Sequence, residues 1–164
     1  LAIAARQDAV SPAVEALAGT SFGPALRARR CLIPADAFYE WDRSVQPPQP
    51  YAIGPAASGA LLALAGIWSP PQRHGMAPSA AILTTTPNRL LEPLHNRMPV
   101  ILDPRQRETW LTADAEVTEL APLLAPARDE GLRLWPVGTA VNRVGTDGRE
   151  LLRPVEVPRT LGLT

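Results

Sequence analysis

The stretch Arg29-Arg30-Cys31-Leu32-Ile33-Pro34-Ala35-Asp36-Ala37-Phe38-Tyr39-Glu40-Trp41 decides the fold class. Residues 31–34 and 37–42 read as strands, the second dense in aromatics. Pro47-Pro48-Gln49-Pro50 then interrupts the chain before a further strand at residues 51–53, which predicts a hairpin connection. Strand alternation puts Phe38 and Glu40 on one face, and Tyr39 and Trp41 on the other.

Working outward, residues 61–68 form an apolar strand. Residues 80–86 form another, ending in three β-branched threonines. Residues 99–102 are short and apolar, and residues 132–137 and 151–157 read as closing strands. Helical spacing is expected over residues 11–29, with a break near residues 19–20. Asp103-Pro104 is a helix start, Asp as cap and Pro at the first helical position, and that helix runs to about residue 111. A further helix is expected over residues 115–124. Strands outnumber helices and do not alternate with them. The prediction is α+β, a mostly antiparallel sheet or open barrel with short flanking helices.

The chain has 164 residues, 46% hydrophobic and 20% charged. That suits one folded domain spanning residues 1–164 and burying about 70% of the unfolded surface. The 19 prolines cluster in loops between strand-like runs. No apolar run reaches the roughly 20 residues of a membrane helix, so no membrane partner is expected. Sixteen basic residues balance sixteen acidic ones, which argues against bulk electrostatic binding of duplex nucleic acid but leaves room for a local basic site. Every basic residue is Arg, so a lysine Schiff base is impossible. The single Cys31 excludes an internal disulfide framework and fits a reducing cytoplasm. Two His and no CxxC or HExxH motif leave no strong metal site, and no metal or cofactor is expected. Leu1 in place of Met, without a signal-peptide pattern, gives the expectation that a piece is missing upstream or that the start was trimmed.

Four stretches hold groups able to do chemistry. Glu40 shares a strand face with Phe38, where desolvation would raise its pKa and suit it to general acid–base work. From spacing alone, a solvated strand-edge glutamate is the plainer reading. Leu94-His95-Asn96-Arg97-Met98-Pro99 combines an imidazole with a planar guanidinium fork suited to phosphate or carboxylate. A polar loop explains it about as well. Thr84-Thr85-Thr86-Pro87-Asn88 offers hydroxyls and an amide that either bind phosphate or cap the turn. Ile3-Ala4-Ala5-Arg6-Gln7-Asp8 says little by itself. Arg29 and Arg30 would lower the Cys31 thiol pKa if they faced it, but a buried small hydrophobe is the expected role. His74 is expected at the surface.

Together and in this order, these stretches resemble the SRAP (SOS response-associated peptidase) family. The resemblance rests on RRCLIPADAFYEW at 29–41, ILTTTPN at 82–88, LHNRMPVIL at 94–102 and VNRVGTDGRELLRPV at 141–155, with IAARQD at 3–8 a weaker match. It implies a bacterial cytoplasmic protein of the DNA-damage response, nucleoid-associated when DNA is damaged. It implies that the protein binds single-stranded DNA at abasic sites as a monomer. It further implies a thiazolidine crosslink between an N-terminal Cys and the abasic aldehyde, with associated autoproteolytic peptidase activity. Carried over residue by residue, Glu40 and His95 are the catalytic pair. Arg6, Thr84 and Arg97 are the DNA- and phosphate-binding residues.

The opening third of the family domain, with its Met-Cys-Gly-Arg start, is missing from this sequence. Cys31 has its nitrogen in a peptide bond, so it cannot close a thiazolidine. The chain alone is therefore expected to be inactive, with crosslinking a property of the full-length protein. The alternative is a truncated, non-catalytic single-stranded DNA-binding module. Ala4 replaces the family's phosphate-binding Asn. Ala37 replaces a Gly, which would cost about 1 kcal/mol if that position needed a positive φ.

Overall fold

A computed structural model describes residues 22–157 apart from 72 and 74. Arg6, His74 and most of the helix expected over residues 11–29 lie outside those residues. The described part of that helix is α1, Gly23–Ala28. The strands that follow are β1 (Arg30–Ala35), β2 (Phe38–Asp42), β3 (Gln49–Pro55), β4 (Leu62–Ser69), β5 (Ser79–Ile82), β6 (Thr84–Thr85) and β7 (Met98–Pro99). Helices α2 (Pro104–Leu111) and α3 (Val117–Leu120) precede the last strand, β8 (Leu132–Pro136).

All strand pairings are antiparallel. One sheet has the order β1-β4-β5, a second β2-β3-β8, and β6 pairs with β7. The fold is α+β, and among the described residues the sheets do not close into a barrel.

β4 explains the layering. Its residues are apolar along nearly the whole strand, so both faces are buried, as expected of a central strand. Ala65 and Ile67 point to one core with Leu26, Val100, Leu102, Trp110 and Leu120, beneath the helices. Leu62 and Leu64 point to the other core with Ile53, Leu91, Met98 and Leu132, against the second sheet. The central sheet thus separates a helical layer from a β layer.

The Asp103 start is built as read. Its side chain accepts from the backbone N–H groups of Arg105 and Gln106, and Gln106 returns a bond to the Asp103 N–H, a reciprocal capping box.

Three expected elements differ. The strand over 80–86 breaks at Leu83, whose N–H goes to Ala65 while its carbonyl accepts from Val100. There the chain leaves β4 and pairs with β7, which wedges in. The helix over 115–124 is α3 followed by a 3-10 turn, Ala121–Leu124, because Pro122 has no N–H to continue an α-ladder. Residues 151–157 are not a strand. They hold the end of a 3-10 turn, Arg149–Leu152, and a single bridge between Val137 and Pro154. Ala37 carries no strain of the kind anticipated, since no non-glycine among the described residues has a positive φ.

Candidate functional site

The site lies at the rim of the second core. On the β2–β3 hairpin, Phe38 faces Ile53, Glu40 faces Tyr51 and Asp42 faces Gln49. Directly opposed residues of an antiparallel pair project to the same side. Phe38 and Ile53 enter the apolar core, so the next pair along that face, Glu40 and Tyr51, meets its edge.

His95 arrives from a different part of the chain. After β6, Asn88 folds the backbone into a compact turn. Its side-chain carbonyl accepts from the Leu91 N–H, and its amide donates to the Ala127 carbonyl. Leu91 is fully buried in the second core and anchors the turn. The His95 N–H then donates to the Leu91 carbonyl at 3.0 Å, which sets the imidazole one turn beyond that anchor.

The result is a contact between His95 Nδ1 and Glu40 Oε1 at 4.0 Å, with both side chains partly open to solvent. Burial raises the Glu40 pKa, and the nearby His95 and Arg43 charges only partly offset it. Nδ1 of His95 also lies 3.2 Å from the Arg97 N–H and 3.1 Å from the Arg97 carbonyl. A neutral Nδ1 accepts from the first, and a protonated one donates to the second. The ring therefore has a partner in either state, as a proton carrier requires.

Arg97 turns its guanidinium onto Thr84. Nε and Nη2 donate to Thr84 Oγ1 at 2.8 and 2.6 Å, and Nη2 donates to the Thr84 carbonyl at 2.7 Å. With its oxygen occupied by two donors, the Thr84 hydroxyl proton is directed away from Arg97. The result is a hydroxyl and a guanidinium held together, groups of the kind that bind an anion.

Cys31 and the arginines before it are engaged apart from this cluster. Cys31 is half-buried, and burial pushes its thiol pKa up. It sits opposite Gly66, where an added Cβ would come within 3.0 Å of the sulfur. The arginines beside it are engaged elsewhere. Arg29 donates to the Trp68 carbonyl. Arg30 donates to the carbonyls of Leu26, Arg27, Trp110 and Thr112, tying the ends of α1 and α2 together. Those carbonyls are the unsatisfied acceptors of helix C-termini, so Arg30 is a structural clamp.

Sequence reasoning missed two neighbours of Glu40. Tyr51 is 4% exposed and directly opposite it, and Asp42 is 2% exposed two residues further along the same face. The alternation that placed Phe38 and Glu40 together extends to Asp42, so that signal was available. On the other face, Trp41 Nε1 donates to Asn142 Oδ1 at 2.8 Å and fastens the 139–142 turn to β2.

Among the described residues no helix is long and apolar enough to cross a membrane. No group of three or more His, Cys, Asp or Glu there is able to hold a metal ion.

A sequence profile of the family "SOS response associated peptidase (SRAP)" matches residues 2–144. The abasic site processing protein YoqW of Bacillus subtilis is 35% identical over 137 residues, covering 80% of this chain and 60% of YoqW. The abasic site processing protein HMCES of Gallus gallus is 34% identical over 166 residues, covering 87% of this chain and 49% of HMCES. This chain thus spans between half and three-fifths of the length of these relatives. A crystal structure of a Bacteroides thetaiotaomicron protein superposes with a TM-score of 0.76 at 22% identity, covering 87% of this chain and 64% of that one, a likeness of fold. A Bordetella bronchiseptica protein superposes at 0.66 with 30% identity, covering 76% and 63%.

Proposed function

The chain belongs to the SOS response associated peptidase family, and from that premise we propose that it is the part of an abasic-site processing protein that holds single-stranded DNA and moves protons at the damaged sugar. The single observation that carries this reading is the convergence of Glu40 and His95 at 4.0 Å beside the Thr84–Arg97 donor pair. An abasic site has no base to read, so recognition must rest on the backbone and the opened sugar. Thr84 and Arg97 take a phosphate oxygen, and Arg6 adds a second cation. A local site of this kind works in a chain of zero net charge, because a single strand needs a groove rather than a wrapped surface.

The chemistry follows in a form of the protein that begins at Cys. The α-amine attacks the aldehyde carbon of the ring-opened sugar and water leaves to give an imine. The thiol of the same residue adds to that carbon, its proton passes to the nitrogen, and a thiazolidine closes. Sugar opening and water loss each need a proton moved. His95 carries it, and Glu40, whose pKa burial raises, supplies or receives it. The same two groups serve removal of the initiator residue that exposes the Cys. Cys31 takes no part, its nitrogen being in β1 and its sulfur against Gly66.

The test is incubation with single-stranded DNA carrying one abasic site, in this chain and in a form extended to begin at Cys. A heat-stable shifted band from the extended form, with salt-sensitive binding from both, supports the proposal. Salt-sensitive binding with no covalent band from either form is the behaviour of a non-catalytic single-strand binding module, which the Thr84–Arg97 pair alone would serve.

A further inference from the structure

We propose that Tyr51 is a positioning residue for Glu40: its ring forms the dry wall against which the carboxyl group is held. The inference rests on the reading of Glu40 as an acid–base group and adds a residue to that site.

The geometry is a register pair. Tyr51 is directly opposite Glu40 between β2 and β3, and side chains so placed lie about 4.5–5.5 Å apart at Cβ. The Tyr51 ring is buried, 4% exposed, while the Glu40 and His95 side chains both remain partly exposed. On the far side of Tyr51 is Pro136 of β8, so the ring has an apolar cross-strand neighbour there.

Among the described residues, the charged and titratable groups around Glu40 are few. His95 approaches from the 88–95 turn, Arg43 follows β2, and Asp42 lies on the same face of β2. Asp42 is buried. Its Oδ1 accepts from the Ser44 N–H and hydroxyl, and its Oδ2 has no hydrogen-bond partner among the described residues. Burial and the Asp42 charge both push the Tyr51 phenol above its ordinary pKa, so the ring stays uncharged beside Glu40. The wall works by excluding water, and the hydroxyl is dispensable to it.

The experiment is a titration of the Glu40 side-chain carboxyl by carbon NMR in the intact chain, with Tyr51→Thr and Tyr51→Phe. Threonine keeps strand preference but removes the ring. Tyr51→Thr is expected to move the Glu40 midpoint down toward the ordinary glutamate value, and Tyr51→Phe to leave it where the native protein has it. Ile53→Val loosens the same hairpin without touching the wall and is expected to leave the midpoint unmoved. If Tyr51→Thr does not fold, Tyr51→Val replaces it with the same expectation. An unmoved midpoint in the ring-less variant overturns the proposal, and so does an equal shift in Ile53→Val or Tyr51→Phe. None of these readings depends on DNA, so a failed crosslinking assay and a failed wall are separate results.

Discussion

Nδ1 of His95 stands 4.0 Å from Oε1 of Glu40, although one comes from a turn before β7 and the other from the middle of β2. The two are joined through the second core, where Leu91 below the turn packs in the same cluster as Phe38 below the strand.

His95→Ala removes the proposed proton carrier and leaves the Thr84–Arg97 pair in place. In a form beginning at Cys, crosslinking to abasic single-stranded DNA is expected to slow by about 10²–10⁴-fold. Binding of the same DNA, read by fluorescence anisotropy, is expected to stay near native. Comparing single-turnover gel kinetics with anisotropy checks the split.

Glu40→Gln tests the burial of the carboxyl group. Folding raises this pKa, so the native state binds its proton more tightly than the unfolded chain does. Between the unfolded and folded pKa values the native state holds more protons, and stability falls as pH rises. Above the folded value the cost is complete, and below the unfolded value it is absent. Glu40→Gln is therefore expected to be more stable than native at neutral pH, with the gain vanishing as pH falls below the ordinary 4.5. Urea midpoints across that range measure it.

Arg97→Ala removes one cation from the proposed binding surface and leaves Thr84 without its Arg97 donors. Affinity for single-stranded DNA is expected to fall, and the slope of log K against log salt to shrink by about 0.7, one phosphate's share. Thr84→Val leaves the half-buried guanidinium without its hydroxyl partner, at a cost of about 1–3 kcal/mol in stability. A salt titration checks the first and urea unfolding the second.

Leu91→Ala acts on the site through packing. Deleting a fully buried leucine costs about 2–5 kcal/mol, set by how far the pocket collapses. The turn that carries His95 loses its anchor, so crosslinking is expected to fall even where the protein remains folded. Denaturant unfolding gives the first number, and crosslinking at low temperature gives the second.

Local features were legible in the sequence. Asp103-Pro104 announced α2 because a cap and a first-turn proline act within one turn. The proline cluster between Asp42 and Tyr51 announced a hairpin for the same reason. The break at Leu83 was not legible, because β7 causes it from a distant part of the chain. Residues 151–157 look apolar enough for a strand, yet they make one isolated bridge, Pro154 to Val137 just past β8. Alternation placed Glu40 beside Phe38, but no spacing rule places His95 against Glu40. Arg30 is next to Cys31 in sequence, but helix carbonyls claim its guanidinium, in keeping with the expected role of Cys31 as a small hydrophobe.

The most direct measurement is a double-mutant cycle on the crosslinking rate, using Glu40→Gln, His95→Ala and the pair of changes in a form that begins at Cys. One shared proton path predicts that the double variant loses little more than the worse single variant. Losses that multiply, or a double variant that crosslinks at the native rate, would contradict a joint role for the two groups.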